Sequence, residues 1–204
     1  MASPNRAASI PQAEPGRPVR LFIAIEIPPA VRAAYASLLK DFRAVAPQVK
    51  WVRLENLHVT LKFLGETESA KLGPLQNVLS AVRSPEPVNL EFHALGFFPN
   101  EMRPRVFWAG METSANLKTL AADIDHAVHR LGFPLEERPF TPHLTLARFQ
   151  PPGAPPKLLH AIQDKIAQSF GSLQTGQFHL IESKLKPAGA EYTTVQSFRF
   201  AAEA

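Results

Sequence analysis

The sequence predicts an α+β fold built twice around a central cleft. Three observations carry that expectation. A short phrase, His-x-Thr-x, occurs as His58-Val59-Thr60-Leu61 and again as His143-Leu144-Thr145-Leu146, 85 positions later. Each copy alternates apolar with polar or small residues, the mark of a strand, because successive strand side chains point to opposite faces. The same shift of 85 lays Phe22-Ile23-Ala24 on Phe107-Trp108-Ala109 and one helical stretch on another, so the order strand, helix, strand, strand, helix recurs. Two such units related by an approximate two-fold axis bring the two His-x-Thr strands to face each other.

The elements follow in order. Residues Met1 to Pro18 hold Pro4, Pro11, Pro15 and Pro18 without a hydrophobic period, and are expected to be a disordered tail. They lack the apolar stretch of a signal peptide. The remainder, 19–201, reads as a single bilobal domain. Val19 to Ile27 is apolar and β-rich, a buried strand. Pro28-Pro29 closes it and suits the first turn of a helix from Ala30 to Ala46, whose inner side is Val31, Tyr35, Leu38, Leu39 and Phe42. Val49 to Arg53 is a short strand. Leu57 to Leu64 is the first His-x-Thr strand and is expected to end at Gly65.

Glu66 to Arg83 reads as a helix reset by Gly73-Pro74. Val88 to Phe98 and Arg105 to Met111 are strands. Ser114 is the expected N-cap of a helix running to about Arg130, closed by Gly132. Leu135 to Phe140 is extended and leads into the second His-x-Thr strand. Lys157 to Phe170 is expected to be a helix. Gln177 to Lys186 and Tyr192 to Ala201 are two final strands joined by a turn at 187–190.

Composition narrows the class. Of 204 residues, 45% are hydrophobic and 20% charged, which is ordinary globular chemistry. No apolar run approaches the ~20 residues that cross a bilayer, so no membrane is expected. Cysteine is absent, which excludes disulfides, zinc-thiolate sites and a cysteine nucleophile, and fits a cytoplasmic location. The net charge of +4 is too small for a protein that coats long nucleic acid, but sufficient for a cleft that holds a phosphate.

Alternation places His58 with Thr60 on one face and Val59, Leu61 and Phe63 on the other; His143 and Thr145 share a face in the same way. Across a narrow cleft, one imidazole near its ordinary pKa of ~6.5 can be neutral while the other is protonated. The neutral ring takes a proton from water, and the protonated ring gives one to a departing oxygen, each transfer contributing roughly 10²–10⁴-fold. The threonine hydroxyls can hold non-bridging phosphate oxygens. Such a site cleaves a phosphodiester without a metal, and a strained cyclic phosphate suits it well.

This arrangement resembles the two-histidine (2H) phosphoesterase superfamily, and within it the RNA 2′,3′-cyclic phosphodiesterases, also called 2′-5′ RNA ligases. The resemblance rests on Arg20-Leu21-Phe22-Ile23-Ala24-Ile25, on Trp51-Val52 and Glu55 to Gly65 around the first phrase, on Arg138 to Arg148 around the second, and on Gly189-Ala190-Glu191-Tyr192. It implies a bilobal α+β fold, with antiparallel sheets lining a central cleft and helices packed outside, and hydrolysis of RNA 2′,3′-cyclic phosphate ends to 2′-phosphates, with reversible 2′-5′ joining, and with no cofactor or metal. It implies His58 as general acid, His143 as general base, and Thr60 and Thr145 as phosphate ligands. It also implies a basic ligand three residues after the second threonine, here Arg148. Strict alternation puts Arg148 on the face opposite His143, so it reaches the cleft only where the strand ends or bulges. Phe63 stands at the matching position in the first half.

Phe63, Phe97, Phe98, Phe140 and Tyr192 are the aromatic candidates for stacking bases, with Phe140 and Tyr192 preferred because they border the matching motifs. Lys62, Arg138 and Lys184 are further candidates for phosphate contact. His126 and His129, beside Asp123 and Asp125, read as a solvated helix face and not as a metal site. The expected partner is RNA with a 2′,3′-cyclic phosphate end, and the expected state a monomer. The alternatives are a 2H enzyme for another 2′-linked or small cyclic nucleotide, such as a 2′-5′ oligoadenylate or ADP-ribose 1″,2″-cyclic phosphate, and a non-catalytic RNA-binding module that keeps the cleft.

Overall fold

The computed structural model describes residues 17–200 apart from 167 and 188. Most of the expected tail, 1–16, and the end of the last expected strand, 201, lie outside the described residues. Among the described residues, nine strands and four α-helices follow in the order β1 (Val19–Glu26), α1 (Pro29–Val45), β2 (Lys50–Trp51), β3 (His58–Thr67), α2 (Leu72–Ser80), β4 (Val88–Phe98), β5 (Val106–Thr113), α3 (Asn116–His129), β6 (Leu144–Arg148), α4 (Pro156–Gln163), β7 (Ser169–Thr175), β8 (Gln177–Lys186) and β9 (Gly189–Arg199). No helix among the described residues is long and apolar enough to cross a membrane.

These strands join one sheet in the order β7-β4-β5-β6-β3-β1-β8-β9, with β2 on β6, and every pairing is antiparallel. The order is palindromic about its centre, with β6 answering β3, β5 answering β1 and β4 answering β8. The two expected lobes are therefore the two halves of one curled sheet, fused where β3 meets β6 at Val59 and Leu144.

The core lies between one face of the sheet and the helices. The α1 stripe of Val31, Tyr35, Leu38, Leu39 and Phe42 is buried there, each large apolar side chain contributing ~1.5–3 kcal/mol by leaving water. Pro28 and Pro29 start that helix, as their fixed φ requires. The other face carries a much smaller apolar cluster, Phe22, Ala24 and Ile181 with Tyr192. That face is the open one, and the histidine phrases look onto it.

Several elements depart from the sequence expectations. β3 does not stop at Gly65 but runs on to Thr67. Gly65 has φ +72°, a left-handed conformation that costs glycine little because it has no Cβ, so the strand bends there instead of ending. The expected helix of 66–83 shrinks to Leu72–Ser80, preceded by a 3₁₀ turn. Ser114 does not cap α3; its Oγ accepts from the Asn89 amide across the sheet edge. The expected helix of 157–170 ends at Gln163, and Ser169–Thr175 is instead an edge strand on β4. Ser169-Phe170 and the polar run after it carry no strand signal of their own; the exposed edge of β4 supplies the partner.

The duplication also closes in a different register from the one the sequence suggests. Ala24 pairs with Thr60 and Phe22 with Phe63, whereas Trp108 pairs with Thr145 and Val106 with Arg148. Phe22 therefore answers Val106, not Phe107. A slip of one residue reverses the faces, and Phe107 lies wholly in the main core while Phe22 faces the opposite side.

Candidate active site

His58 opens β3 and His143 immediately precedes β6, so each sits where its strand reaches the centre of the sheet. The two phrases are locally alike. His58 Nδ1 lies 2.7 Å from the carbonyl oxygen of Asn56, and His143 Nδ1 lies 2.9 Å from that of Thr141. A carbonyl only accepts, so both Nδ1 atoms carry hydrogen and both Nε2 atoms are left for chemistry. Each ring also meets an aromatic edge. Tyr192 stands against His58 at 5.4 Å and 80°, and Phe98 against His143 at 5.1 Å and 82°. Phe22 packs beneath His58 at 4.7 Å, and Trp108 backs Phe98 at 5.1 Å. Gly96 makes room for that indole, because a Cβ there would collide with it.

Bulges settle which side chains follow the threonines. In β6 the pairing skips Leu146, so Leu146 and Ala147 are both buried and Arg148 emerges on the face of Thr145. The bulge that Arg148 needs is thus present, and its charge is felt by both His58 and Tyr192. In β3 the pairing skips Leu61. Leu61 and Lys62 both turn inward, and Phe63 emerges on the face of Thr60, 58% exposed. Phe63 is therefore not on the far side with Val59 and Leu61, as alternation predicts.

Lys62 is correspondingly withdrawn from phosphate binding. It is 3% exposed, and its Nζ reaches Asp125 at 2.7 Å, Glu136 at 3.0 Å and the Pro134 carbonyl at 2.7 Å. It ties β3 to α3 and to the segment that leads to His143. Lys184 pairs with Glu182 at 3.5 Å on the surface of β8. His129 donates from Nδ1 to the Phe133 carbonyl, 2.9 Å away, which gives it a local structural partner at the end of α3.

Thr60 and His143 line a cleft of about 1000 Å³, together with Phe63, Phe98, Phe140 and Arg138. Of the two preferred aromatics, Phe140 lines this cleft while leaning on the core, and Tyr192 lines the other side, a smaller cavity of about 150 Å³ shared with His58, Asn56, Glu26 and Glu55. Phe97 is buried in the core. Burial lowers the pKa of His58 below the ordinary histidine value, and the charges of His143 and Arg148 lower it further, against the raising effect of the Asn56 carbonyl. Burial raises the pKa of Tyr192, which keeps its hydroxyl protonated.

Asn56 is the site residue that sequence reasoning missed. It is 8% exposed, and its Nδ2 donates to the Ala190 carbonyl at 2.7 Å. It thereby fixes the carbonyl that orients His58 and ties it to the β8–β9 hairpin that carries Tyr192. The available signal was its position two before the first histidine, matching Thr141 before the second.

Similarity to known proteins agrees with this geometry. The family model of LigT-like phosphoesterases matches residues 25–108 and 111–192. The RNA 2′,3′-cyclic phosphodiesterase of Methanothermobacter thermautotrophicus is 34% identical over 182 residues, covering 89% of this chain and 98% of the relative. The crystal structure of TT0787 of Thermus thermophilus is similar at a TM-score of 0.71 and 32% identity, over 91% of this chain and 100% of that one. The crystal structure of E. coli LigT complexed with 3′-AMP is similar at a TM-score of 0.70 and 26% identity, over 91% of this chain and 99% of that one.

Proposed function

The chain belongs to the LigT-like phosphoesterases, and from that premise we propose that it hydrolyses 2′,3′-cyclic phosphates at RNA ends to 2′-phosphates, with His58 and His143 as the proton-transfer pair. The single observation that carries the reading is the matched anchoring of the two rings, Nδ1 to the carbonyl two residues earlier, which leaves both Nε2 atoms free. The naming of several relatives for this reaction supports it.

The reaction balances simply. Water attacks phosphorus opposite O3′ while His143 Nε2 takes a proton from it. The P–O3′ bond breaks, and protonated His58 gives its Nε2 proton to O3′. The products are a 3′-hydroxyl and a 2′-phosphomonoester, and bulk water restores both rings. Thr60 and Thr145 donate hydroxyl hydrogen bonds to the non-bridging oxygens, and Arg148 adds a cation where negative charge grows. A 5′-hydroxyl of a second RNA in place of water yields a 2′-5′ joint. Burial disfavours the protonated form of His58 in the free protein, and an arriving phosphate anion favours proton uptake by offsetting the cations around the ring. Phe63, Phe140 and Tyr192 offer faces to bases.

In this reading 19–201 act as one bilobal catalytic domain, and a cytoplasmic monomer is expected. Incubation with chelator and an RNA ending in a 2′,3′-cyclic phosphate tests the assignment. Wild type opens the ring to a 2′-phosphate, and His58→Ala and His143→Ala lose that activity. Equal activity in either variant would overturn the roles given to the pair.

A further inference from the structure

We propose that the cleft extending from His143 across α3 is the track for the RNA chain behind the reactive end, so that the protein acts on oligonucleotide ends in preference to cyclic mononucleotides. This rests on the RNA-end reading above and specifies which side of the histidine pair takes the chain. At about 1000 Å³ the cleft is at the top of the ~300–1,000 Å³ range that houses a whole small ligand, and one nucleotide leaves much of it empty. Lys118 and Asp125 both line it from α3, seven residues apart on one helical face. That face runs about 10 Å at 1.5 Å per residue, longer than a single phosphate needs.

The charges on the two sides of the histidine pair differ. Arg105, Lys118 and Arg138 line the large cleft, are exposed, and make no ion pair or side-chain hydrogen bond among the described residues. The two acids of that cleft, Asp125 and Glu136, are already engaged by Lys62. The small cavity beyond His58 holds Glu26 and Glu55 against Arg32, and Glu55 is further engaged by Arg53 at 2.6 Å. The three unpaired cations therefore draw a polyanion to the α3 side, whereas in the small cavity acids and arginines offset one another. Cations set along a groove with aromatic faces are the arrangement that holds single strands without reading their sequence. The cations come from three separate segments, ahead of β5, on α3, and ahead of His143.

The test compares a 2′,3′-cyclic mononucleotide with a pentanucleotide that ends in the same nucleoside cyclic phosphate. Wild type has the higher kcat/KM on the pentanucleotide, and that rate falls more steeply with salt than the mononucleotide rate. In Arg105→Ala/Lys118→Ala/Arg138→Ala the preference for the pentanucleotide falls at least tenfold, and Arg105→Lys/Arg138→Lys retains it. The three side chains are exposed, and an unchanged Tm confirms that the variant folds. No preference in wild type, or a preference that survives the triple substitution, overturns the track. If wild type opens neither substrate, the activity reading fails and the track is judged by fluorescence anisotropy with a labelled pentanucleotide bearing a terminal phosphate. Salt-sensitive binding that the triple variant loses supports the track, and binding that the variant keeps overturns it.

Discussion

The carbonyl of Asn56 holds the Nδ1 hydrogen of His58 at 2.7 Å, and the Asn56 side chain is in turn held by the Ala190 carbonyl at 2.7 Å. His143 has the first of these anchors but no equivalent of the second, since Thr141 Oγ1 reaches only its neighbour Pro139 at 3.4 Å. Asn56→Ala leaves the half-buried Ala190 carbonyl unmatched, at about 1 kcal/mol. For a chain of this size that lowers Tm by roughly 2–4 °C. It also lets the ring drift, and a misplacement near 1 Å can cost ~10²-fold in rate. The expected result is a fall in kcat at temperatures well below the Tm, with the imidazole 15N spectrum of His58 no longer fixed in the Nδ1–H tautomer. An unchanged kcat would make Asn56 a purely structural residue.

Burial, then His143 and Arg148, lower the pKa of His58 in the free protein. In the proposed role of general acid it is competent only when protonated, so the basic limb of kcat/KM is expected below the ordinary histidine range, while bound phosphate moves the basic limb of kcat upward. Arg148→Gln removes one of the depressing charges. The protonated form is then less disfavoured, its pKa rises, and the basic limb of kcat/KM moves to higher pH even as the rate falls. A shift confined to the acid limb would instead make His58 the base and His143 the acid.

Phe63 is 58% exposed, an unusual condition for a phenylalanine, and it shares a face with Thr60. Phe63→Ala is expected to leave stability within about 0.5 kcal/mol, as for other exposed sites. Loss of one stacked base costs ~1–3 kcal/mol, so KM for a cyclic-phosphate substrate rises roughly 5–150-fold with a smaller change in kcat. Phe63→Tyr restores the platform and the affinity. Unaltered KM in Phe63→Ala would remove it from the substrate's path.

Lys62 separates a structural from a phosphate-binding role. Its Nζ is shared by Asp125, Glu136 and the Pro134 carbonyl, and the residue is 3% exposed. Breaking a buried pair from one side costs roughly 3 kcal/mol or more, so Lys62→Met lowers Tm by about 6–12 °C. Its kcat on a cyclic mononucleotide, measured well below that Tm, stays within a few-fold of wild type. A large loss of kcat with an unchanged Tm would place the ammonium on the substrate.

By itself the sequence determined the repeated phrase, the separation of its copies, the helices that flank them and the α+β class, because period-two and period-3.6 patterns are written in adjacent residues. His58, Thr60, His143 and Thr145 were legible for the same reason, each pair sharing a face before any irregularity intervenes. Tertiary structure alone decided what comes after the threonines. Skipping Leu61 in β3 and Leu146 in β6 sends Lys62 inward and brings Phe63 and Arg148 out. A bulge is a mismatch between two strands, so one strand's sequence cannot contain it. The one-residue slip that makes Phe22 the counterpart of Val106, the edge strand Ser169–Thr175 on β4, and the reach of Asn56 to Ala190 are of the same kind. Each depends on a partner distant in the chain, and only closure of the sheet brings that partner near.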